Sequence, residues 1–144
     1  MPTASKKPRT KRLPRKLSRL ILVALEDLEK VERSKRYVVD MKLFHVPIDG
    51  VCHVCFAGGV MAMRLGCSPQ TFQSEAFEEM DIETARKLFA LNYARTGKFQ
   101  FAAGELGFSY EVIPDSDITP YESNPAQFKA DMRSAAAMLA ARGL

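Results

Sequence analysis

Two cysteines three residues apart, with histidines beside them, are the side chains of this sequence best suited to chemistry. Cys52 and Cys55 form a Cys-X-X-Cys motif that encloses His53, and His45 precedes the motif. Thiol–disulfide enzymes use this spacing, because a helix N-terminus lowers the pKa of a thiol. The same spacing supplies two ligands to many zinc sites. A cysteine near a histidine can also act as a nucleophile. The motif therefore raises three chemical hypotheses.

Each hypothesis lacks a part that its chemistry requires. A thioredoxin-like site needs a surrounding βαβ sheet, and nothing later in the chain resembles one. A zinc site would use His45, Cys52 and Cys55, since Cys67 lies about 18 Å farther along a straight helix from Cys55. His53 on the same helix as both thiols cannot aim well at either of them. We therefore expect the cysteines to be buried apolar side chains, and we predict no catalytic residue and no cofactor.

The apolar run around the motif predicts the central helix of the fold. The stretch 51–65 has no broad polar face, as expected for a helix buried on all sides. Asp49 is the predicted N-cap and Gly66 the predicted stop. Gly58 and Gly59 lower helix propensity by about 1 kcal/mol each, which is tolerable if another helix crosses closely there. We expect the tightest packing of the core beside these two glycines.

Other segments read mainly as helices. Ser18 is the expected N-cap of a first helix that reaches residue 33, Asp81 caps a third helix that ends before Gly97, and Asn124 with its following proline starts the last helix. The stretch 36–46 is a short strand or an extended connection, which Pro47 ends. The predicted fold is all-α, a single small helical bundle-like domain over 17–144, with one short strand or hairpin at most.

The third helix has a predicted inner face with helical spacing. It consists of apolar and aromatic residues on one stripe, and this stripe should pack against the core. Its members are Ile82, Ala85, Leu88, Phe89, Asn92 and Tyr93.

Positive charge is concentrated at the beginning of the chain. The first 19 residues carry eight basic side chains and no acidic one, so the rest of the chain has a net charge of −4 within the total of +4. We expect residues 1–16 to form a disordered basic arm. It is either a solvated leader or a nucleic-acid contact. No aromatic residue is available for base stacking. The candidate contacts are Lys6, Lys7, Arg9, Lys11, Arg12, Arg15 and Lys16.

Acidic residues provide the candidate surface for a protein partner. A mildly acidic body could face a basic, nucleic-acid-binding surface of another protein, with carboxylates in the places of phosphates. A solvated loop that leads into a helix N-terminus would explain most of the same residues without a function. The candidates are Glu75, Glu78, Glu79, Asp81, Asp115 and Asp117.

Composition and cysteine usage limit where such a protein works. With 47% apolar and 26% charged residues, the chain has the composition of a globular domain. Its most apolar stretch is shorter than the roughly 20 residues that cross a bilayer. We see no secretory signal, and three cysteines favour a reducing compartment, so we expect a cytoplasmic protein without a membrane partner.

The run V-C-H-V-C-F-A-G-G-V-M-A over residues 51–62 resembles the motif V-C-x-V-C-x-A-G-x-V-M-A of a family of small tailed-bacteriophage proteins. The similarity covers most of 17–144 and excludes the basic arm. It implies no known catalytic residue. It implies a non-enzymatic accessory protein that binds and modulates or inhibits a host protein in the host cytoplasm, for example in a defence or nucleic-acid-processing complex.

Two alternatives remain open at this point. The chain could bind nucleic acid through its basic arm, or it could be a Cys-X-X-Cys redox or zinc-binding module. The partners considered are a host protein, a nucleic acid and a second copy of the chain in a homodimer.

Overall fold

A computed structural model describes residues 12–109 and 113–144 of the chain. Within these ranges there are six helices and three strands. In chain order they are α1 (Leu17–Arg33), β1 (Tyr37–Val39), β2 (His45–Ile48), β3 (Val51–Val54), α2 (Phe56–Met63), α3 (Gln73–Glu78), α4 (Ile82–Ala94), α5 (Phe99–Glu105) and α6 (Pro125–Ala141). The candidate basic residues Lys6, Lys7, Arg9 and Lys11 lie outside the described residues.

The all-α prediction is wrong, because the chain contains a three-stranded mixed sheet beside its helices. The strand order is β1-β3-β2, with β3 in the centre. It pairs in parallel with β1 and antiparallel with β2. One face of β3 is covered by the helical core, so Cys52 and Val54 are buried while Val51 and His53 are partly exposed. A half-buried strand is thus combined with helices in this fold.

The predicted central helix is wrong in its first turn. Residues Val51–Val54 are strand β3, and the helix begins only at Phe56, with Cys55 as its N-cap. Asp49 is no N-cap, because it forms the hairpin turn between β2 and β3 together with Gly50. Both residues have positive φ, 49° and 83°, as a two-residue type I′ turn requires. The apolar run therefore crosses from a strand into a helix.

Pro47 does not end the extended segment, as its sequence position suggested, but lies inside β2 opposite Cys52. In a two-residue hairpin the pair that closes the turn is hydrogen-bonded, and here that pair is Ile48 with Val51. The next pair is then not hydrogen-bonded, so the ring nitrogen of Pro47 faces away from β3. The proline costs the sheet no hydrogen bond at this edge position.

The predicted starts of the later helices are confirmed. Asp81 caps α4 by accepting a hydrogen bond of 2.7 Å from the Thr84 amide, and Asn124 caps α6 in the same way. Gly97, just after α4, has a φ of 83°. The first helix begins two residues earlier than predicted, since its N-cap is Lys16 rather than Ser18. The hydroxyl of Ser18 donates instead to the carbonyl of Leu144, at 2.8 Å.

Helix α2 lies in the middle of the core and packs against both α1 and α4. Its residues from Phe56 to Met61 are all buried, and the ring of Phe56 meets that of Phe128 on α6 edge to face. A close approach is found at Gly58, but its neighbour is the chain just before β2 rather than the helix that we expected, whereas at Gly59 helix α1 passes at ordinary contact distance. A side chain at Gly58 would overlap the carbonyl oxygen of Phe44, and one at Gly59 would touch Val31 of α1 at 3.5 Å.

The folded part extends into the segment that we assigned to the basic arm. Leu13 is buried in the main core, and its carbonyl accepts a hydrogen bond of 2.8 Å from the ammonium of Lys87 on α4. Residues 12–16 therefore lie along the domain. None of the helices in the described ranges is both long and apolar enough to cross a membrane.

Candidate functional site

The sheet brings His45 and Cys52 into contact. His45 is opposite Val54 in the register of β2 and β3, and Cys52 lies two residues from Val54, so both side chains share one face of the sheet. The sulfur of Cys52 is 3.4 Å from Nδ1 and 3.7 Å from Nε2 of the imidazole. Both residues are fully buried. This pair is the arrangement closest to a catalytic or metal-binding centre among the described residues.

The hydrogen bonds of His45 define its tautomer. Its Nδ1 lies 2.6 Å from the carbonyl oxygen of Thr71, and a carbonyl can only accept, so Nδ1 carries the proton. Burial lowers the pKa of His45, which keeps the ring neutral at pH 7. Burial also raises the pKa of Cys52 to about 11, so the thiol stays protonated. The two groups form a neutral thiol–imidazole pair, whereas a cysteine nucleophile needs a thiolate.

Cys55 does not join this pair. Its sulfur accepts a hydrogen bond of 3.4 Å from the amide of Gly58, in the first turn of α2, and burial raises its pKa. Cys55 belongs to the main core, whereas Cys52 belongs to a small cluster with Val31 and Val54. The ligand set His45, Cys52 and Cys55 is therefore not brought together. No group of three His, Cys, Asp or Glu side chains within the described ranges could hold a metal ion.

Cys67 lines an open cleft of about 410 Å³ beside the N-terminus of α4. Thr71, Glu79 and Asp81 line it as well. Burial, reinforced by the nearby carboxylate of Glu79, raises the pKa of the Cys67 thiol. Neither member of the His45–Cys52 pair lines the cleft, so the pair does not open into it.

The six acidic candidates fall into two groups rather than one patch. Glu75, Glu78, Glu79 and Asp81 lie around α3 and the start of α4. Two of them act as caps: Glu75 accepts from the Phe72 amide and Asp81 from the Thr84 amide. The latter bond lowers the pKa of Asp81.

Asp115 and Asp117 lie near the opposite end of α4. The carboxylate of Asp115 accepts a hydrogen bond of 3.1 Å from Gln100 on α5, and the amide of Ser116 donates to the carbonyl of Gly97, just past α4. A helix of the length of α4 spans about 20 Å, which separates the two acidic groups.

The predicted inner face of the third helix is wrong at its largest residues. Ile82, Phe89 and Tyr93 are 74%, 38% and 36% exposed. Leu88 of the predicted face is buried as expected, and it is joined on the core side of α4 by Lys87, Ala90, Leu91 and Ala94. Helix α4 therefore carries apolar residues on two sides, and periodicity alone did not show which one is buried.

The exposed side of α4 continues onto α5. The ring of Phe101, which is 52% exposed, lies 5.8 Å from that of Tyr93. Phe89 is held in place from below, since its ring stacks on Phe77 at 5.4 Å and contacts Phe44 at 5.5 Å. We call Ile82, Phe89, Tyr93 and Phe101 the apolar outer face. Sequence reasoning missed it, although the apolar residues around all of α4 were a signal.

The basic candidates that the structure describes are Arg12, Arg15 and Lys16, and all three are exposed. They do not form one patch. Arg12 lies close enough to Asp81 to help lower the pKa of that carboxyl. Arg15 lines a small cavity beside Ile82, whereas Lys16 lines a groove between α1 and α6.

Comparison of the chain with protein-family models, with curated protein sequences and with solved structures gave no match. The resemblance to small tailed-phage proteins therefore stays a prediction.

Proposed function

We propose that this chain is a non-catalytic binding protein whose apolar outer face fills an apolar groove on a partner protein. The observation that carries the proposal is the exposure of Ile82, Phe89, Tyr93 and Phe101 on one side of α4 and the adjoining α5, where the rings of Tyr93 and Phe101 lie 5.8 Å apart. Large apolar side chains that are exposed together on one face of a protein are typical of interaction sites. The neutral, buried pair of Cys52 and His45 offers no competing reactive centre.

The spacing of the outer face fits a helix that docks in a groove. Ile82, Arg86, Phe89 and Tyr93 follow the i, i+4, i+7, i+11 pattern, which places them along one line on α4. Aromatic residues at the centre of such a line are the usual hot spots of an interface. Phe89, supported by two further rings, is already fixed in its orientation, so little side-chain entropy is lost on binding.

The charges around the outer face indicate the chemistry of the partner. The two groups of carboxylates lie at the two ends of α4, which favours basic residues at both ends of the partner's groove. Arg86 lies within the row, and Lys98 is 5.8 Å from the ring centre of Phe101. We expect one acidic residue of the partner opposite Arg86.

The resemblance to tailed-phage proteins supports a host protein as that partner. An accessory protein of this kind would work in the host cytoplasm, by occupying a basic, nucleic-acid-binding surface of the host protein. The acidic candidates then form the rim of the interface, and the apolar outer face forms its centre.

The test is to compare which host proteins are retained by the full chain and by variants of the outer face. We expect Ile82→Asp and Tyr93→Asp to retain the wild-type fold by circular dichroism and to weaken binding of the captured protein at least 30-fold, the size of a lost hot spot. Ile48→Asp is the matched control, since Ile48 is 39% exposed but lies in β2.

Two outcomes contradict the proposal. The first is that both outer-face variants bind the captured protein as well as Ile48→Asp does. The second is a homodimer that Tyr93→Asp dissociates in sedimentation experiments, because the groove-bearing partner would then be a second copy of this chain.

A further inference from the structure

We infer that the groove between α1 and α6 binds the phosphate backbone of a nucleic acid. The groove has a volume of about 320 Å³ and lies at the start of α1. Three cations line it: Lys16, which is the N-cap of α1, Arg19 of α1 and Arg133 of α6. None of its described lining residues is acidic. This site is separate from the apolar outer face on α4 and α5.

The cations of the groove are available to an anion. Lys16 and Arg19 are exposed, and neither forms an ion pair within the ranges that the structure describes. Arg133 is 54% exposed and touches a carboxylate only loosely, at 3.8 Å from Glu29. Three cations around a groove that no described acidic residue lines favour a ligand that carries several negative charges.

The floor of the groove fits a backbone rather than bases. It is formed by Ala136, Ala137 and Ala140, with Leu22 on the α1 side. These short side chains let a sugar–phosphate chain come close to the helix surfaces. None of the described lining residues is aromatic, so bases find no stacking partner. The recognition we infer is therefore electrostatic and independent of base sequence.

The concentration of basic residues at the beginning of the sequence favours a nucleic acid, which is uniformly charged, over an acidic peptide. Arg12 and Arg15 precede Lys16 in the sequence, and the first 19 residues contain eight basic side chains and no acidic one. A nucleic acid presents a phosphate at every nucleotide, so one molecule can contact the groove cations and further basic side chains of this part of the sequence at the same time.

The test measures binding of a fluorescent duplex DNA of about 20 base pairs by anisotropy, between about 50 and 200 mM salt. We expect Arg19→Gln and Arg133→Gln each to weaken binding and to reduce the slope of log affinity against log salt by about 0.9, and the double variant by about twice that. The matched control is Lys42→Gln, which removes the same charge from an exposed position outside the groove. It should leave the slope unchanged.

Three outcomes overturn the inference. One is the absence of salt-dependent DNA binding by the wild-type chain, and another is an equal reduction of the slope in Lys42→Gln and the groove variants. The third is displacement of the DNA by a smaller concentration of polyglutamate than of unlabelled DNA, which would assign the groove to an acidic peptide. Tyr93→Asp changes the apolar outer face and not the groove, so it should bind DNA as the wild type does. Failure of the DNA-binding inference is therefore distinguishable from failure of the proposed protein binding.

Discussion

The carboxylate of Asp27, fully buried in α1, accepts two hydrogen bonds from the guanidinium of Arg64 at the end of α2. The Nε–Oδ2 distance is 3.0 Å and the Nη2–Oδ1 distance is 3.1 Å. Burial raises the pKa of Asp27, and the hydrogen bonds and charge of Arg64 oppose that shift. The pair joins α1 to the end of α2, close to Gly59. Loss of Arg64 alone would leave the carboxylate of Asp27 buried without its main partner.

We therefore expect Arg64→Met to lower the free energy of unfolding by about 3–5 kcal/mol, since it leaves Asp27 without its main partner. The double variant Asp27→Leu/Arg64→Met should regain most of this loss, because it removes both charges and keeps the volume apolar. Urea unfolding of the three proteins measures the effect. A loss below about 1 kcal/mol in Arg64→Met would contradict this expectation, because it would show that the pair stabilises the fold no more than a surface ion pair does.

The two adjacent glycines of α2 should respond in opposite ways to alanine. In Gly58→Ala the new methyl group would overlap the carbonyl oxygen of Phe44, and the backbone must move, so we expect a loss of several kcal/mol. In Gly59→Ala the nearest atom is 3.5 Å away, and the gain in helix propensity of up to about 1 kcal/mol should dominate. Thermal unfolding of both variants measures the change in stability, and a change of the same sign and size in the two variants would contradict the prediction.

Acid should destabilise the protein through His45. Burial lowers the pKa of His45 in the folded state. As the pH falls below about 6.5, the imidazole is therefore protonated in the unfolded chain at a higher pH than in the folded protein. The free energy of unfolding should then decrease with falling pH, by at most about 1.4 kcal/mol per pH unit. Asp27, with its raised pKa, acts in the opposite direction at lower pH.

The measurement compares urea unfolding of wild type and His45→Gln between about pH 7 and 5. The variant has no imidazole to protonate, so its free energy of unfolding should depend less steeply on pH. The comparison uses the slopes, since the substitution itself changes stability. Parallel slopes would show that His45 is not the group responsible.

The three cysteines should differ in reactivity. Cys52 and Cys55 are buried, whereas Cys67 is half-buried on the wall of the cleft. Under native conditions we expect iodoacetamide to modify Cys67 alone, and slowly, because its pKa is raised. Peptide mass spectrometry identifies the modified residue. Rapid native modification of Cys52 would instead show that the pair with His45 is reachable from solvent.

Local signals that depend on one turn of chain were sufficient to place the later helices. The side chains of Asp81 and Asn124 satisfy free amides of the first helical turn, and this chemistry can be read directly from sequence. Gly97 adopts the positive φ that its type favours. These assignments needed no knowledge of distant contacts.

The sheet was missed because a short apolar run does not distinguish a strand from a buried helix. The Asp49-Gly50 pair is a strong hairpin signal, but it also resembles a helix cap when an apolar run follows. Pairing with β1, a strand of three residues, decides in favour of β3. That pairing depends on residues far apart in the chain, which periodicity does not report.

The candidate site was accessible to sequence reasoning only in part. The expected burial of the cysteines is confirmed for Cys52 and Cys55, whereas Cys67 is only half-buried. The contact of Cys52 with His45 depends on the register of the hairpin. The apolar outer face depends on which side of α4 meets the core, and both sides are apolar enough to do so.

Pro47 gives the sheet a protected border. A bare border strand can recruit a strand from another molecule through its free amides, which leads to aggregation. At this position the outward-facing nitrogen carries no hydrogen, so a neighbouring chain would find a donor missing midway along β2. Association by sheet extension is thereby disfavoured on that side, and this directs encounters with other macromolecules to the helices.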